Sequence, residues 1–246
     1  MNVSKISVII PTYQHATTIA ACLESIFAQT LQPLEVIVVN DGSTDGTKDV
    51  LERFVDHVTI IEQNNQGSNP ARNRGFEASK GSLVIFCDAD VIMRPNMLEM
   101  LVQALEEHQE AAFAYSGFRF GWKAFPSFNY DAERLRQMNY IHTTALIRRE
   151  TFPGFDPSIK RLQDWDVWLT MLERGAIGVR VAEELFRIVD GHGRTGISQW
   201  RPAFFYRMKW DYLGWKPASL KRYLEAKRIV QQKHGLLVGG KNNSFE

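Results

Sequence analysis

The run Leu83-Val84-Ile85-Phe86-Cys87 ends at Asp88-Ala89-Asp90, so an unbroken apolar stretch meets two carboxylates one residue apart. Apolar runs without polar alternation belong to strands covered on both faces, which requires a sheet with helices above and below it. At the carboxyl end of such a strand the sheet stops covering the backbone. A ligand can approach there, and a hard divalent cation finds its oxygen ligands. An Asp in this position also commonly caps a turn, so the surrounding sequence has to decide. No Gly-x-x-x-x-Gly-Lys-Ser/Thr is present, and no Gly-x-Gly-x-x-Gly follows the first strand. A P-loop therefore lacks its phosphate cradle and a dinucleotide fold lacks its fingerprint. The pattern points to another chemistry of metal-bound phosphate.

Alternating periods place this strand in a layered fold. Residues 6 to 10 and 36 to 39 read as short strands, separated by helical spacing of Ile19, Cys22, Leu23, Ile26 and Phe27. After the turn-rich Asn40-Asp41-Gly42-Ser43-Thr44-Asp45-Gly46, the residues Val50, Leu51 and Phe54 share a helix face, and residues 58 to 61 form a third strand. A helix over residues 71 to 80, closed by Gly81 in a left-handed cap, leads into the aspartate-tipped strand, and Pro95 opens another helix through Glu107. The expected fold is α/β: a Rossmann-like, mostly parallel sheet with helices on both faces and ligands at the strand ends.

Between Phe113 and Tyr140 neither period is sustained, yet aromatics abound. Phe113 and Tyr115 read as core residues on a strand. Trp122, Phe125, Phe128 and Tyr130 have fewer apolar neighbours and suit an acceptor groove, because aromatic faces bury the C–H side of a sugar and leave its hydroxyls to hydrogen-bond. Residues 143 to 148 return to a strand. Leu162, Trp165, Leu169 and Leu172 then form the inner stripe of a helix ending before Gly175. Asp164 stands off that stripe in the first turn, where an acid answers the helix dipole or faces the sheet's functional edge.

At 246 residues the chain has room for one large domain with an appendage, and 44% hydrophobic with 23% charged residues is the balance of a globular protein. Neither a signal-peptide pattern nor a run of eighteen apolar residues occurs, which predicts a cytoplasmic protein. Cys22 and Cys87 fall within apolar patterns without metal spacing and read as reduced core residues. The net charge of +1 hides an asymmetry: residues 201 to 246 hold ten Lys/Arg against three Asp/Glu. The division expected is a catalytic domain over 1–200 and a basic extension over 201–246, with two amphipathic helices split near Lys216-Pro217. That extension either packs on the domain or contacts an anionic membrane surface. No nucleic-acid partner is expected.

Five segments together resemble family 2 glycosyltransferases with a GT-A fold. They are Ser7-Val8-Ile9-Ile10-Pro11-Thr12-Tyr13, Val38-Val39-Asn40-Asp41-Gly42-Ser43-Thr44-Asp45, Ala71-Arg72-Asn73-Arg74-Gly75, Cys87-Asp88-Ala89-Asp90 and Gln163-Asp164-Trp165-Asp166. The resemblance covers roughly residues 5 to 190 and implies a nucleotide-diphosphate sugar lying across the strand ends. It implies that Pro11, Thr12 and Tyr13 wall the base, that Asp41 accepts from the base edge, and that Arg72 lies beside the donor. Asp90 would hold Mn2+ or Mg2+ on the diphosphate, with Asp88 on the ribose or in the metal shell. His192, in Gly191-His192-Gly193-Arg194, stands where relatives can carry a metal- or phosphate-contacting histidine.

Asp164 matches the family's catalytic aspartate, a general base for an inverting displacement with a saccharide or lipid-linked saccharide acceptor. Uridine diphosphate is the carrier the resemblance favours, with thymidine and guanosine carriers open. Gln163 departs from the family's frequent Glu, and Val91 from a frequent acid. The Gln-x-x-Arg-Trp signature of processive synthases is missing, which favours transfer of one sugar per encounter. Two other functions fit less well. A nucleotidyltransferase needs a glycine-rich basic loop where Pro11-Thr12-Tyr13-Gln14-His15 stands, and a silent binding module has no use for Asp41, Asp88, Asp90 and Asp164 together.

Overall fold

The computed structural model describes residues 6–189 and 217–236. His192, the expected domain boundary at residue 200 and the first of the two tail helices lie outside the described residues. The chain runs β1 (Ile6–Thr12), α1 (Ile19–Phe27), β2 (Glu35–Asp41), α2 (Thr47–Glu52), β3 (Thr59–Gln63), α3 (Ser68–Ala78) and β4 (Leu83–Phe86). It continues through β5 (Val91–Met93), α4 (Met97–Glu107), β6 (Ala111–Phe120), β7 (Lys123–Phe125), α5 (Ala132–Gln137) and β8 (Leu146–Arg148). Last come α6 (Gln163–Glu173), β9 (Ile177–Ile188) and α7 (Ala218–Lys233).

One sheet of order β3-β2-β1-β4-β8-β6-β9-β5 carries all of this, with β7 paired to β6. The half formed by β3, β2, β1 and β4 is parallel, so its strands end on one edge. Beyond β4 the sheet is mixed: β8 is antiparallel to β4 and to β6, while β9 is parallel to β6 and antiparallel to β5. Side chains alternate between two cores. Val8, Ile10 and Ile85 pack with α1 and α4 on one face; Ile9, Val84 and Phe86 pack with α6 on the other. No helix among the described residues is long and apolar enough to cross a membrane.

Several local expectations are corrected. The left-handed cap expected at Gly81 does not form: α3 stops at Ala78 and Ser79 is extended at φ −79°, ψ 155°. The chain goes straight into β4 there, and the Gly81 N–H donates to Ser7 Oγ at 2.8 Å. The same helix starts at Ser68, earlier than expected, because Pro70 falls in its first turn, where a missing N–H costs nothing. The stretch without period after Phe113 contains the ten-residue β6, whose first seven residues are all buried. A strand covered on both faces has no alternation to read. Phe113 and Tyr115 are core as expected, Phe113 stacking on Trp168 at 4.6 Å. In α7 the buried residues are Leu220, Ala226 and Val230, while Leu224 and Ile229 are exposed.

Candidate active site

Three parallel strands deliver the first residues of the site to one edge. Thr12 pairs with Asn40 across β1 and β2, and β4 ends beside Ile9 two residues before Asp88. Pro11 is buried within β1, while Tyr13, just past its end, is 45% exposed. Thr12 is buried and its Oγ1 has no hydrogen-bond partner among the described residues. Buried hydroxyls rarely stay unpaired, so this atom is suited to a ligand.

Asp41 closes β2 with its carboxylate already engaged. Oδ1 accepts from Gln63 Nε2 at 2.7 Å and from the Gln66 N–H at 2.8 Å, and Oδ2 accepts from the Gly67 N–H at 2.8 Å. Gly67 takes φ 97°, a conformation that favours glycine, and immediately precedes α3. Asp41 thus fixes the start of the helix that carries Arg72. Any base-edge contact has to use lone pairs that these three donors leave.

Arg72 and Asp88 form the central ion pair, Nη2 to Oδ1 at 2.6 Å. Arg72 is buried beneath the site, with its guanidinium 5.1 Å from the Phe155 ring centroid and its Nε unpaired. Burial pushes the Asp88 pKa up, and Arg72, with His142 and His15 adding, overcomes this and holds it below the ordinary carboxylate value. The close approach of α3 to the sheet depends on Gly75, where a Cβ would stand 2.4 Å from Ile9 Cγ2.

Asp88-Ala89-Asp90 turns the chain between β4 and β5, with the Val91 N–H donating to the Asp88 carbonyl at 3.0 Å. Two carboxylates thus sit on one short turn. Among the described residues no group of three or more His, Cys, Asp or Glu is placed to hold a metal ion. A pair of carboxylates completed by substrate phosphate oxygens is the donor set that Mg2+ or Mn2+ takes in phosphate chemistry, so Asp88 and Asp90 fit such an ion.

Asp164 arrives from the opposite side, in the first turn of α6. Leu162 precedes that helix in the left-handed region, at φ 58° and ψ 36°, which is unfavourable for a branched side chain. Trp165 and Trp168 of this helix are buried. Asp164 Oδ1 accepts from the Trp165 N–H at 3.0 Å. Asp166, in the same turn, has a different fate: it is buried, 2.8 Å from Lys233 Nζ and 2.9 Å from His234 Nε2 on the segment of α7.

His142 links the two halves. The β4–β8 pairing ends at Ile85↔Leu146, three residues before Asp88 on one strand and four after His142 on the other, and both Asp88 and Asp164 act on the His142 charge. Burial pushes its pKa down, and the two carboxylates do not offset this. The Thr144 N–H donates to Nδ1 at 3.0 Å, so the neutral ring carries its proton on Nε2. Phe118 and Phe186 flank the imidazole at 4.9 and 5.1 Å between centroids.

The aromatic residues expected in an acceptor groove do not form one wall. Phe125 stacks on Phe118 at 4.8 Å, which connects it to His142. Trp122 is 85% exposed in the turn between β6 and β7. Tyr130 lies elsewhere: its hydroxyl donates to the Ala176 carbonyl at 3.2 Å, past the far end of α6. Burial raises its pKa to about 12. Phe128 lies near Tyr130 in sequence and is covered by Arg134.

Residues 7–160 match the family described as Glycosyl transferase family 2. The chain belongs to that family. It is 36% identical over 149 residues to the uncharacterized glycosyltransferase YibD of Escherichia coli (strain K12), covering 57% of this chain and 42% of YibD. It is 29% identical over 223 residues to the putative teichuronic acid biosynthesis glycosyltransferase TuaG of Bacillus subtilis (strain 168), covering 82% of this chain and 87% of TuaG. The chain spans 42%, 33% and 31% of the length of the first three curated relatives it matches.

Among solved structures, S. aureus TarS 1-349 in complex with UDP-GlcNAc superposes with a TM-score of 0.69 at 17% identity, over 96% of this chain and 68% of that one. The mannosyltransferase PcManGT from Pyrobaculum calidifontis, in complex with GDP-Man and Mn2+, gives 0.64 at 20% identity, over 94% and 71%. These likenesses show the fold, which is GT-A-like: the mixed sheet with flanking helices described above.

The family match takes in Asp41, Arg72, Asp88 and Asp90 and stops short of Asp164. His142 was missed by sequence reasoning. Its signal was present: a histidine leading into a strand that returns beside β4 has to pass Asp88, but the pairing of β8 with β4 is not written in either segment.

Proposed function

We propose that this member of glycosyl transferase family 2 is an inverting, metal-dependent glycosyltransferase. It moves one sugar from a nucleotide-diphosphate sugar, a uridine diphosphate sugar first, to an acceptor hydroxyl in the synthesis of a cell-surface polysaccharide or glycoconjugate. The observation that carries this reading is the convergence of the Arg72–Asp88 pair and Asp164 on His142. A carboxylate suited to phosphate chemistry and a carboxylate suited to proton removal thus both act on one imidazole.

The base of the nucleotide lies at Pro11, Thr12 and Tyr13, with the orphaned Thr12 hydroxyl as one of its contacts. Asp88 and Asp90 hold Mn2+ or Mg2+ when it is bound, and the ion supplies positive charge to the departing diphosphate. Arg72 keeps Asp88 ionised and oriented. Asp164 accepts the proton of the acceptor hydroxyl while that oxygen bonds to the anomeric carbon, and the bond to the diphosphate breaks with its electron pair leaving on phosphate oxygen. One displacement inverts the anomeric centre. Sugar hydroxyls are weak acids, so the base acts as the new bond forms rather than before it.

The name of TuaG, a putative teichuronic acid biosynthesis glycosyltransferase, supports a polysaccharide as product class, and the UDP-GlcNAc bound to TarS agrees with a uridine diphosphate sugar as donor. A lipid-linked acceptor would agree with contact of the basic C-terminal extension with an anionic membrane surface. Release of free nucleoside diphosphate from a panel of nucleotide sugars, with and without Mn2+, tests the activity. Mn2+-dependent release from one donor is expected, and no release from any donor with any acceptor mixture would overturn it.

A further inference from the structure

A cleft of about 490 Å3 opens between the segment before α5 and β9, and two guanidinium groups line it. Arg180 is aimed by neutral partners: Nε donates to Ser127 Oγ at 3.1 Å and Nη1 to Asn129 Oδ1 at 2.9 Å. Ser127 is itself buried and its hydroxyl donates to the Val181 carbonyl at 2.9 Å, so this support is fixed. The Arg134 guanidinium lies over the Phe128 ring, 4.5 Å from its centroid. Neither arginine has an ion-pair partner among the described residues. The carboxylate that lines the cleft, Asp131, turns back to cap α5 through the Arg134 N–H at 2.9 Å.

Neutral partners orient a guanidinium without cancelling its charge, and its remaining N–H groups form the planar fork that suits phosphate or carboxylate. The cleft also stands in a defined relation to Asp164. Trp165 Nε1 donates to the Leu135 carbonyl at 2.6 Å, which ties α5, one residue from Arg134, to the first turn of α6, one residue from Asp164. α5 thus connects the cleft with the helix start that carries Asp164, and we take an acceptor saccharide at Asp164 to extend over α5 toward the two arginines.

We propose that this cleft is an acceptor subsite for an oxyanion, a phosphate or carboxylate carried on the acceptor saccharide away from the hydroxyl that reacts. Its role as an acceptor subsite rests on the glycosyltransferase reading above; its affinity for anions does not. The test titrates the full chain with glycerol 3-phosphate, with glucuronate and with neutral glucose by NMR, and separately with uridine diphosphate and Mn2+.

Saturable binding of either anion but not of glucose is expected, weakened by salt. Arg180→Gln and Arg134→Gln should each lower the affinity roughly tenfold, the scale of one charge-assisted contact. Nucleotide binding should be unchanged in both variants, which also reports that they fold. Preference for glycerol 3-phosphate assigns the subsite to a phosphate-bearing acceptor, and preference for glucuronate to a uronate-bearing one. Anion binding that survives in both variants, or binding no stronger than that of glucose, overturns the proposal. Arginine-dependent anion binding in a chain that releases no nucleoside diphosphate would instead sink the catalytic reading and leave the anion site standing.

Discussion

His234 Nε2 stands 2.9 Å from Asp166 Oδ1, and the two side chains are 2% and 3% exposed. The other ring nitrogen, Nδ1, is 2.7 Å from Glu173 Oε1. Two carboxylates facing both nitrogens require a donor at each, so the ring is an imidazolium. Lys233 adds a bridge from Asp166 to Asp156, at 2.8 and 2.7 Å. The segment ending α7 is therefore clamped to α6, and the second acid of Gln163-Asp164-Trp165-Asp166 is spent on that clamp. Asp164 is the acid in this turn that stays outside the clamp, and it is the one proposed as the base.

The clamp makes stability pH-dependent. Burial alone would lower the His234 pKa, but Asp166 and Glu173 outweigh it and raise the folded value above the unfolded one. The contribution is complete below the unfolded pKa of about 6.5 and is lost as pH rises through the folded value. Urea midpoints should thus fall as pH is raised from about 6.5, and His234→Gln should flatten that slope. An unchanged slope in the variant would show that another group titrates there.

Asp164→Asn and Asp166→Asn should separate chemistry from structure. The first keeps the shape and removes the basic oxygen, so transfer falls by roughly 10²-fold or more with donor affinity near wild type. The second leaves Lys233 and His234 facing an amide, and breaking a buried pair costs about 3–5 kcal/mol. Parallel assays of transfer and urea unfolding on both variants check this. Near-normal transfer by Asp164→Asn would remove it from the mechanism.

Asp90→Ala should abolish the Mn2+-dependent part of nucleoside-diphosphate binding and leave the fold intact, since the substitution keeps the Asp90 carbonyl that accepts from the Val189 N–H at 2.9 Å. Calorimetry with and without Mn2+ measures the difference. Equal Mn2+-dependent affinity in variant and wild type would place the ion elsewhere.

Gly75→Ala tests how α3 carries Arg72 to the site. Its Cβ would fall 2.4 Å from Ile9 Cγ2 and 3.2 Å from Val39 Cγ2, both in the central strands. Forcing the helix off the sheet should cost about 1–3 kcal/mol in urea unfolding. It should also lengthen the 2.6 Å Arg72–Asp88 contact and weaken nucleotide binding. Wild-type stability would mean that α3 moves freely.

These residues show where sequence reading reached and where it stopped. Strand ends are local: an apolar run closing on Asp88 and a strand closing on Asp41 announce their own position, and the parallel half of the sheet followed from alternation. Asp164 was legible as an acid off an apolar stripe. The clamp of Asp166 to His234 joins residues 68 apart in sequence, and no period in either helix encodes the other. β6 was obscured because burial on both faces erases alternation. Tyr130 and Phe125 read alike in sequence, since composition records aromatic character and not which end of α6 a ring meets.

His142 offers the last test, because its packing and its hydrogen bonding can be separated. Phe118 and Phe186 hold the ring from two sides, and His142→Phe preserves an aromatic ring between them. What it removes is the Nε2–H, fixed in place because the Thr144 N–H occupies Nδ1. That donor belongs to a ring on whose charge Asp88 and Asp164 both act, and under the proposed function those two carboxylates serve the donor and the acceptor hydroxyl. Thermal stability should therefore stay close to wild type while transfer slows roughly tenfold, the worth of one hydrogen bond of about 1.4 kcal/mol. His142→Gln, which can present an N–H at similar reach, should recover part of the rate. Equal rates for the Phe variant and the wild type would reduce His142 to a packing residue between two phenylalanines.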